Sequence, residues 1–197
     1  MSEQIHKTGS LHPEPALVNV PEEIATERLV VRPPRPGDGQ ALNAATIESA
    51  AELQPWMPWA NPLPPVEPSE AYARKAHARF VSREDLPYRA QLKRTGEFVV
   101  GSGLHRIDWN VPRFEIGYWC RTRFVGQGYV SEVVRALSEM AFATLGAQRV
   151  EIRMDATNLR SRRVAELCGF VLEGVLRRET RTHRGELRDT CVYARLK

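Results

Sequence analysis

The chain has 197 residues, of which 42% are hydrophobic and 26% are charged, and its formal net charge is +4. A chain of this length folds as one domain and buries about 70% of the surface that its unfolded form would expose. The sequence contains no apolar run long enough to span a bilayer, and its first residues lack the apolar core of a secretory signal, so we expect a cytoplasmic protein with no membrane partner.

The first 22 residues are polar and carry three prolines, without helical or strand periodicity. We therefore expect a flexible leader at residues 1–22 and one domain at residues 23–197. In the domain, runs of β-branched and aromatic residues predict strands, and apolar residues at helical spacing predict helices. In chain order these are a strand in ERLVVRPP, helices in PGDGQALNAATIESA and EAYARKAHARFVS, strands in YRAQLK, EFVVGSGLHRID and RFEIGYWC, a helix from Val130 to Leu145, a strand in QRVEIRM, a helix in NLRSRRVAELC, and strands in VLEGVLRRETR and LRDTCVYARL.

The order of these elements indicates an α+β (mixed α/β) domain built on a single central sheet. We expect about seven strands, mostly antiparallel, flanked by about four helices. The helix between the fourth and fifth strands forms a crossover long enough to make those two strands parallel.

The three cysteines, Cys120, Cys168 and Cys191, are an odd number with no C-x-x-C pair and no ligand-like spacing to histidine. The sequence therefore predicts neither a disulfide framework nor a metal site.

The segment CRTRFVGQGYVSE joins the fourth strand to the following helix and contains the pattern R-x-x-G-x-G. A glycine-containing loop at a helix N-terminus presents free N–H groups beside the positive end of the helix dipole, so it can hold a phosphate or pyrophosphate. Arg121 and Arg123 can add charge-assisted hydrogen bonds. The pattern alone fits a plain turn equally well, because it matches neither G-x-G-x-x-G nor a P-loop. Farther along, Asn158 suits the N-cap of the next helix, with Ser161 one turn on.

Taken together, the motifs resemble the GNAT superfamily of acetyl-CoA-dependent N-acetyltransferases, and within it the RimJ and RimL type, which acetylates the amino termini of ribosomal proteins. The helix after the glycines reads GYVSEVV, where that branch more often has a small residue and Glu-Ala. The matching segments are TERLVVRP, WMPW, FEIGYW, R-x-x-G-x-G, N-x-x-S-x-R-V-A-E-x-x-G-F-x-x-E-G and D-T-x-x-Y-A-R-L, within about residues 25–197.

The resemblance implies acetyl-CoA as co-substrate, with its pyrophosphate on the glycine loop. Its pantetheine arm is implied to pair with the end of the fourth strand, where the fourth and fifth strands splay apart. Ser161 is implied to protonate the leaving thiolate, and Arg160 or Arg163 to face the ribose phosphate. The residues assigned to acetyl-CoA are Trp119, Cys120, Arg121, Arg123, Gly126, Gln127, Gly128, Tyr129, Asn158 and Ser161.

For the acceptor amine, Glu115 is the best candidate base, since strand alternation places it on the face of Gly117 and Trp119. The alternative is a carboxylate that only pairs with an arginine. His105 is a weaker candidate, more typical of a satisfied histidine within a sheet. Trp56 and Trp59 are expected to line the acceptor site, or else to anchor their proline-rich loop in the core.

Three functions stay open at this point. The first is direct transfer of acetyl, in a ternary complex, to the N-terminal α-amine of a ribosomal or other protein or peptide. The second uses the same chemistry on a small amine, such as an antibiotic, a polyamine or an amino-acid-like metabolite. The third is a non-catalytic module that binds coenzyme A or the ribosome through the arginine-rich C-terminal third. No specific nucleic acid is expected, and Phe142, on the polar side of its helix, suggests a homodimer.

Overall fold

The computed structural model describes residues 14–197. The strands are β1 (Ile24–Ala25), β2 (Leu29–Arg32), β3 (Leu86–Leu92), β4 (Phe98–Asp108), β5 (Arg113–Cys120), β6 (Arg149–Asp155), β7 (Val171–Arg181) and β8 (Leu187–Leu196). The α-helices are α1 (Gly39–Glu48), α2 (Ala50–Leu53), α3 (Val66–Ser82), α4 (Tyr129–Ala143) and α5 (Leu159–Leu167), and short 3-10 helices cover Pro15–Leu17, Pro58–Ala60 and Thr122–Phe124. Among the described residues, no helix combines the length and apolar character that a membrane crossing requires.

All the strands of the described part of the chain belong to one sheet, in the order β1-β2-β3-β4-β5-β6-β8-β7. Its neighbouring strands run antiparallel except for β5 and β6, which are parallel. The predicted mixed α/β fold is thereby confirmed, including the crossover through α4. The structure has one more strand and one more helix than expected. The additional elements are the two-residue β1 and the four-residue α2, which are too short to show a sequence period.

The described part of the predicted leader, residues 14–22, contacts the domain. Val20 is 3% exposed, and the carbonyl of Pro21 accepts a hydrogen bond of 2.6 Å from the buried Tyr88 hydroxyl. The Arg83 side chain donates to the Val18 carbonyl at 3.1 Å. These contacts depend on residues more than 60 positions away, which is why local periodicity gave no sign of them. The domain boundary at residue 23 stays a prediction, and residues 1–13 of the leader lie outside the described residues.

Helix α4 packs its apolar side on the sheet, as its sequence period predicted. Val133, Val134 and Leu137 are fully buried and belong to the main hydrophobic core. Phe142 also packs against this core, and the guanidinium of Arg195 lies 5.4 Å from its ring centre. Contacts within the chain thus account for part of the Phe142 ring, which is half-buried, and the homodimer that it suggested stays a prediction.

Helix α1 is tied to the sheet by buried charges. Its N-cap residue, Asp38, accepts two hydrogen bonds of 2.8 Å from Arg32 on β2 and forms an ion pair with Arg89 on β3. Arg89 is only 5% exposed, and its burial lowers the pKa of the guanidinium to about 10, so it remains charged at neutral pH. Buried charges need such pairing, and the cluster fixes where α1 lies on the sheet.

The parallel strands β5 and β6 separate after a short paired segment. Their register runs only from Arg113 with Arg149 to Glu115 with Glu151. Beyond Glu115, β5 continues to Cys120 with β4 on one side and no strand on the other. The predicted splay is therefore present, and it opens a cleft in the sheet between β5 and β6.

Candidate active site

The glycine loop lies at the N-terminus of α4, next to the cleft. Gly126 and Gly128 both have φ of +80°, a conformation that glycine adopts without steric cost. Gly128 is the N-cap of α4. Within the described part of the chain, the N–H groups of residues 126–131 donate to no protein acceptor, whereas that of Glu132 bonds to the Gly128 carbonyl. The loop thus presents a group of free donors at the positive end of the α4 dipole.

The two arginines before the glycines are held by a residue that the sequence analysis missed. Glu48, at the end of α1, accepts hydrogen bonds of 2.9 Å from Nε of Arg121 and Nε of Arg123. These bonds lower the pKa of Glu48 to about 2, and the bond from Arg123 contributes most to this shift. Glu97 adds a weaker contact of 3.4 Å to Arg123. Because acidic partners already balance both guanidinium charges, the capacity of the loop to hold an anion rests on its backbone N–H groups.

The side chains of the loop are also fixed. Gln127 donates to the Arg123 carbonyl at 3.0 Å, and Tyr129 packs edge-on against Phe124 with ring centres 5.9 Å apart. The guanidinium of Arg28 lies 4.1 Å from the centre of the Tyr129 ring and also donates to the Gln127 carbonyl at 3.0 Å. Arg28 lies in the segment TERLVVRP, and nothing in the sequence indicated a role for it.

The open edge of β5 directs two backbone donors into the cleft. The N–H of Arg121 bonds to the Val99 carbonyl on β4 at 2.8 Å. Since successive N–H groups of a strand point to opposite sides, those of Tyr118 and Cys120 point away from β4 and toward the gap. Of the three residues predicted to pair with an extended ligand, Cys120 therefore offers its N–H, whereas Arg121 uses its own within the sheet.

On the far side of the cleft, Asn158 caps α5 as predicted. Its Oδ1 accepts a hydrogen bond of 3.1 Å from the Ser161 N–H. The Ser161 hydroxyl lies 2.9 Å from the hydroxyl of Tyr118, and the Ser161 carbonyl is also 2.9 Å from that hydroxyl. Burial raises the pKa of Tyr118, so the phenol stays protonated. The sequence indicated Tyr118 only as a strand residue. Its contact with Ser161 links β5, on one side of the cleft, to α5 on the other.

Glu115 is the last residue of β5 that pairs with β6. Its side chain is 18% exposed, and burial raises its pKa, although Arg106 and Arg153 act in the opposite direction. The Arg106 contact is 3.4 Å long, and that arginine side chain is 65% exposed, so the ion pair is weak. His105 on β4 is the register partner of Glu115. Glu115 is thus a half-buried carboxylate without a strong partner among the described residues, at the point where β5 and β6 begin to separate.

An aromatic group lies on the same face of the sheet. Trp119 covers Gly101, because a methyl group at Gly101 would lie 2.2 Å from its indole nitrogen. The ring centres of Trp59 and Phe98 are 6.0 and 5.1 Å from that of Trp119. Trp59 is 48% exposed, whereas Trp56 is half-buried. Trp59 therefore presents an apolar surface to solvent beside Trp119 and does not anchor its loop in the core.

The cysteines offer no reactive group. Cys168 and Cys191 are buried, and burial raises the pKa of the half-buried Cys120 thiol to about 12. Among residues 14–197, no three His, Cys, Asp or Glu side chains come together in a way that would hold a metal ion.

The splayed strands, the glycine loop and the Asn158 cap are the features that the motif series predicted for an acetyltransferase. The chain matches the family model of the acetyltransferase (GNAT) domain over residues 28–171. It belongs to the GNAT acetyltransferase family, as the resemblance indicated.

Relatives of the chain agree with the RimJ and RimL type. It is 29% identical over 152 residues to the putative ribosomal N-acetyltransferase YdaF of Bacillus subtilis, covering 77% of this chain and 82% of YdaF. It is also 29% identical over 178 residues to the uncharacterized N-acetyltransferase p20 of Bacillus licheniformis, covering 89% of this chain and 97% of p20.

Two solved structures share the fold. RimL, a ribosomal L7/L12 alpha-N-protein acetyltransferase solved with coenzyme A, has a TM-score of 0.83 at 23% identity, covering 89% of this chain and 98% of RimL. The microcin C7 self-immunity acetyltransferase MccE, solved with acetyl-CoA and AMP, has a TM-score of 0.83 at 20% identity, covering 90% of this chain and 98% of MccE. At these identities the likeness shows the fold alone.

Proposed function

We propose that the protein transfers the acetyl group of acetyl-CoA to the N-terminal α-amine of a protein or peptide, with a ribosomal protein as the acceptor. One observation carries the proposal: the open edge of β5 runs from the half-buried carboxylate of Glu115 to the free N–H groups of the glycine loop. The activities after which YdaF and RimL are named support the class of acceptor, since this chain is similar to both.

The residues along this edge fit acetyl-CoA, which supplies an activated acetyl thioester when bound. The N–H groups of residues 126–131 suit its pyrophosphate. The N–H groups of Tyr118 and Cys120 suit an extended arm that adds to the edge as a strand would, and one of them can stabilise negative charge on the acetyl oxygen. Arg160 is exposed at the start of α5, without an acidic partner in the part of the chain that is described, so it can meet the ribose phosphate.

Glu115 receives a proton from the incoming amine, directly or through a water molecule. Near pH 7.5 roughly a quarter of an α-amine with a pKa of about 7.9 is neutral, against roughly 0.1% of a lysine amine with a pKa of about 10.4. This factor of about 200 corresponds to ~3 kcal/mol. A carboxylate is a modest base, so it suffices for an α-amine and is poorly suited to lysine. The exposed ring of Trp59, which packs against Trp119 on the strand that carries Glu115, gives the peptide an apolar surface.

The leaving thiolate takes a proton from Ser161, whose hydroxyl is oriented by Tyr118 at 2.9 Å. The acetyl group passes to the amine directly, without an acetyl-cysteine. Cys120 is the cysteine nearest to the proposed thioester position on β5, and a thiol whose pKa is about 12 is almost entirely protonated at neutral pH. It is therefore a poor nucleophile.

The second candidate is acetylation of a small amine. The likeness to MccE, which was solved with acetyl-CoA and AMP, is as close in TM-score as the likeness to RimL. The exposed Trp59 would then meet a planar ring of the small molecule and not a peptide.

A coenzyme-release assay separates the two functions. Thiol release from acetyl-CoA would be measured with peptides that carry different free amino termini, with the same peptides blocked at the terminus but retaining a lysine, and with aminoacyl nucleotides and polyamines. We expect release only with free amino termini. If only small amines cause thiol release, the second candidate replaces the proposal. If no amine causes thiol release, the remaining function is a protein that binds coenzyme A without catalysis.

Two further expectations follow from the proposal. An acceptor on the ribosome implies a cytoplasmic protein. A homodimer stays a prediction, to be tested by the mass of the protein in solution.

A further inference from the structure

His105 forms a short contact with an acidic residue that the proposed reaction does not use. Its Nδ1 lies 2.7 Å from Oδ1 of Asp85, which precedes β3. The imidazole ring lies across two glycines. A methyl group in place of the Gly117 hydrogen would be 3.4 Å from its Nε2, and one at Gly103 would be 2.8 Å away. Among the described residues, Nε2 has no hydrogen-bond partner. The ring thus lies over β5 between the positions of Glu115 and Trp119.

We propose that His105 is a second proton acceptor for the acceptor amine, with Asp85 as its positioning residue. The inference rests on the proposed acetyl transfer and adds a catalytic residue to it. A carboxylate that accepts the Nδ1–H holds the imidazole in the tautomer whose Nε2 carries a free lone pair. The absence of side chains at Gly103 and Gly117 leaves room for the ring itself, and 33% of the His105 side chain is exposed, so a substrate can reach it.

An acceptor amine that arrives as an ammonium ion loses two protons during the reaction. The amine arrives mostly as an ammonium ion and must lose one proton before its lone pair can attack the acetyl carbon. As the C–N bond forms and the C–S bond breaks, the nitrogen loses a second proton, while the thiolate gains one from Ser161. The first proton goes to Glu115 and the second to Nε2 of His105. After product release both acceptors return their protons to water, Ser161 regains one, and one proton is released for each acetyl group transferred.

The charges around His105 suit this role. Glu115 is its register partner across the β4–β5 pair, where facing Cβ atoms are about 4.5–5.5 Å apart. Asp85 and Glu115 therefore lie on either side of the ring. Glu151 and three arginines also face the group, and one of these arginines, Arg153, is paired with Glu179 at 2.6 Å. Arg106 lies 3.4 Å from Glu115, and Arg79 lies 3.9 Å from Asp85, but the two arginine side chains are 65% and 42% exposed, so water screens them.

The two acceptors are distinguished by the pH at which each is needed. At pH 9.5 an α-amine is already neutral in solution, so the first proton is gone, whereas the second must still leave during the attack. The variants Glu115→Gln, His105→Gln and Asp85→Asn would be compared at pH 7 and pH 9.5 with one reactive peptide. His183→Gln, in the exposed turn between β7 and β8, is the matched control. Calorimetry with acetyl-CoA and thermal unfolding would show that each variant is folded.

We expect Glu115→Gln to lose about tenfold in kcat/KM at pH 7, because about a tenth of an α-amine with a pKa of about 7.9 is neutral there, and to regain most of it at pH 9.5. His105→Gln should lose about 100-fold at both values of pH with unchanged affinity for acetyl-CoA. Asp85→Asn should lose about 10-fold at both and lose nothing further in the His105→Gln background. If His105→Gln does not fold, Asp85→Asn tests the proposal, through the same comparison of kcat/KM with the wild type at pH 7 and pH 9.5.

The proposal is overturned if the His105 variant, or the Asp85 variant in its place, is within threefold of the wild type at pH 9.5, or if its loss is reversed at high pH like that of Glu115→Gln. A wild type that acetylates no peptide would contradict the proposed function instead, so the two failures are distinct.

Discussion

Arg28, directly before β2, and Glu132, in the first turn of α4, form an ion pair with 2.7 Å between Nε and Oε2. Thr26 donates to the same carboxylate at 2.6 Å. Burial alone raises the pKa of Glu132, but the bonds from Thr26 and Arg28 outweigh it and hold the pKa below its usual value. Because Arg28 also bonds to the Gln127 carbonyl, the segment TER fixes the glycine loop to the start of the sheet.

Replacing Arg28 by Met should therefore disorder the glycine loop without creating a cavity in the hydrophobic core. We expect affinity for acetyl-CoA, measured by calorimetry, to fall about tenfold, together with a loss of about 1 kcal/mol in the free energy of unfolding. Arg74→Met is the control, since Arg74 forms an ion pair of similar length, 2.8 Å, with Glu70 away from the loop. Equal affinities of the two variants would show that the Arg28 contacts do not organise the loop.

Local sequence patterns were sufficient to predict much of the fold and part of the candidate active site. Hydrophobic period correctly predicted α4, and the preference of asparagine for helix starts predicted the Asn158 cap. These features depend on residues within a few positions of one another, where propensity and spacing act directly. The face shared by Glu115 and Trp119 follows from alternation along one strand.

The rest of the site depends on contacts between distant segments. Glu48 and Arg123 are 75 residues apart, Arg28 and Glu132 are 104 apart, and Asp85 and His105 are 20 apart. None of these pairs leaves a local period, because each forms only when the sheet brings its segments together. Sequence reasoning therefore assigned the arginines to a phosphate, and the structure shows them bound to Glu48.

A bulky side chain at Gly126 tests the proposed pyrophosphate position. Nothing lies within 4 Å of a Cβ at this glycine, so Gly126→Trp should fold, with a loss of about 1–2 kcal/mol from its positive φ. The indole would cover the free N–H groups, and we expect affinity for coenzyme A to fall at least tenfold by calorimetry. Gly146→Trp is the control, because Gly146 has φ of +69° and equally open surroundings beyond the other end of α4. Unchanged affinity for coenzyme A in the Gly126 variant would show that the pyrophosphate does not bind at this loop.

The ion pairs of Glu48 should make stability depend on pH. Its pKa in the folded protein is about 2, below its usual value of 4.5. The contribution of the carboxylate is thus fully present above pH 4.5 and is lost as the pH falls toward 2. We expect Glu48→Gln to lower the free energy of unfolding by about 1 kcal/mol at pH 7, with the difference vanishing near pH 2, in denaturant titrations. Glu139→Gln, on the exposed side of α4, should show no such difference at any pH.

Removal of the Tyr118 hydroxyl tests the orientation of Ser161. We expect Tyr118→Phe to lower kcat about tenfold with little change in KM for acetyl-CoA, because Ser161 loses the group that orients its hydroxyl. In a Ser161→Ala background the same change should have no further effect. Tyr193→Phe is the control, since the Tyr193 hydroxyl is bonded to Glu166 and not to Ser161. Additive losses in the double variant would show that Tyr118 acts independently of Ser161.

Direct transfer makes a definite prediction for Cys120. Its side chain lies beside the proposed thioester position, so an acetyl-cysteine would form there if transfer proceeded in two stages. The raised pKa keeps the thiol protonated, and the one hydrogen bond of its Sγ within residues 14–197 is to the Arg121 carbonyl, at 3.5 Å, which is not a base that could activate it. We expect Cys120→Ala to keep kcat within about threefold of the wild type. Mass spectrometry of wild-type protein incubated with acetyl-CoA alone should then show no acetylated chain. An acetylated wild type together with an inactive Cys120→Ala would establish a covalent route, because only a nucleophile that carries the acetyl group produces both results.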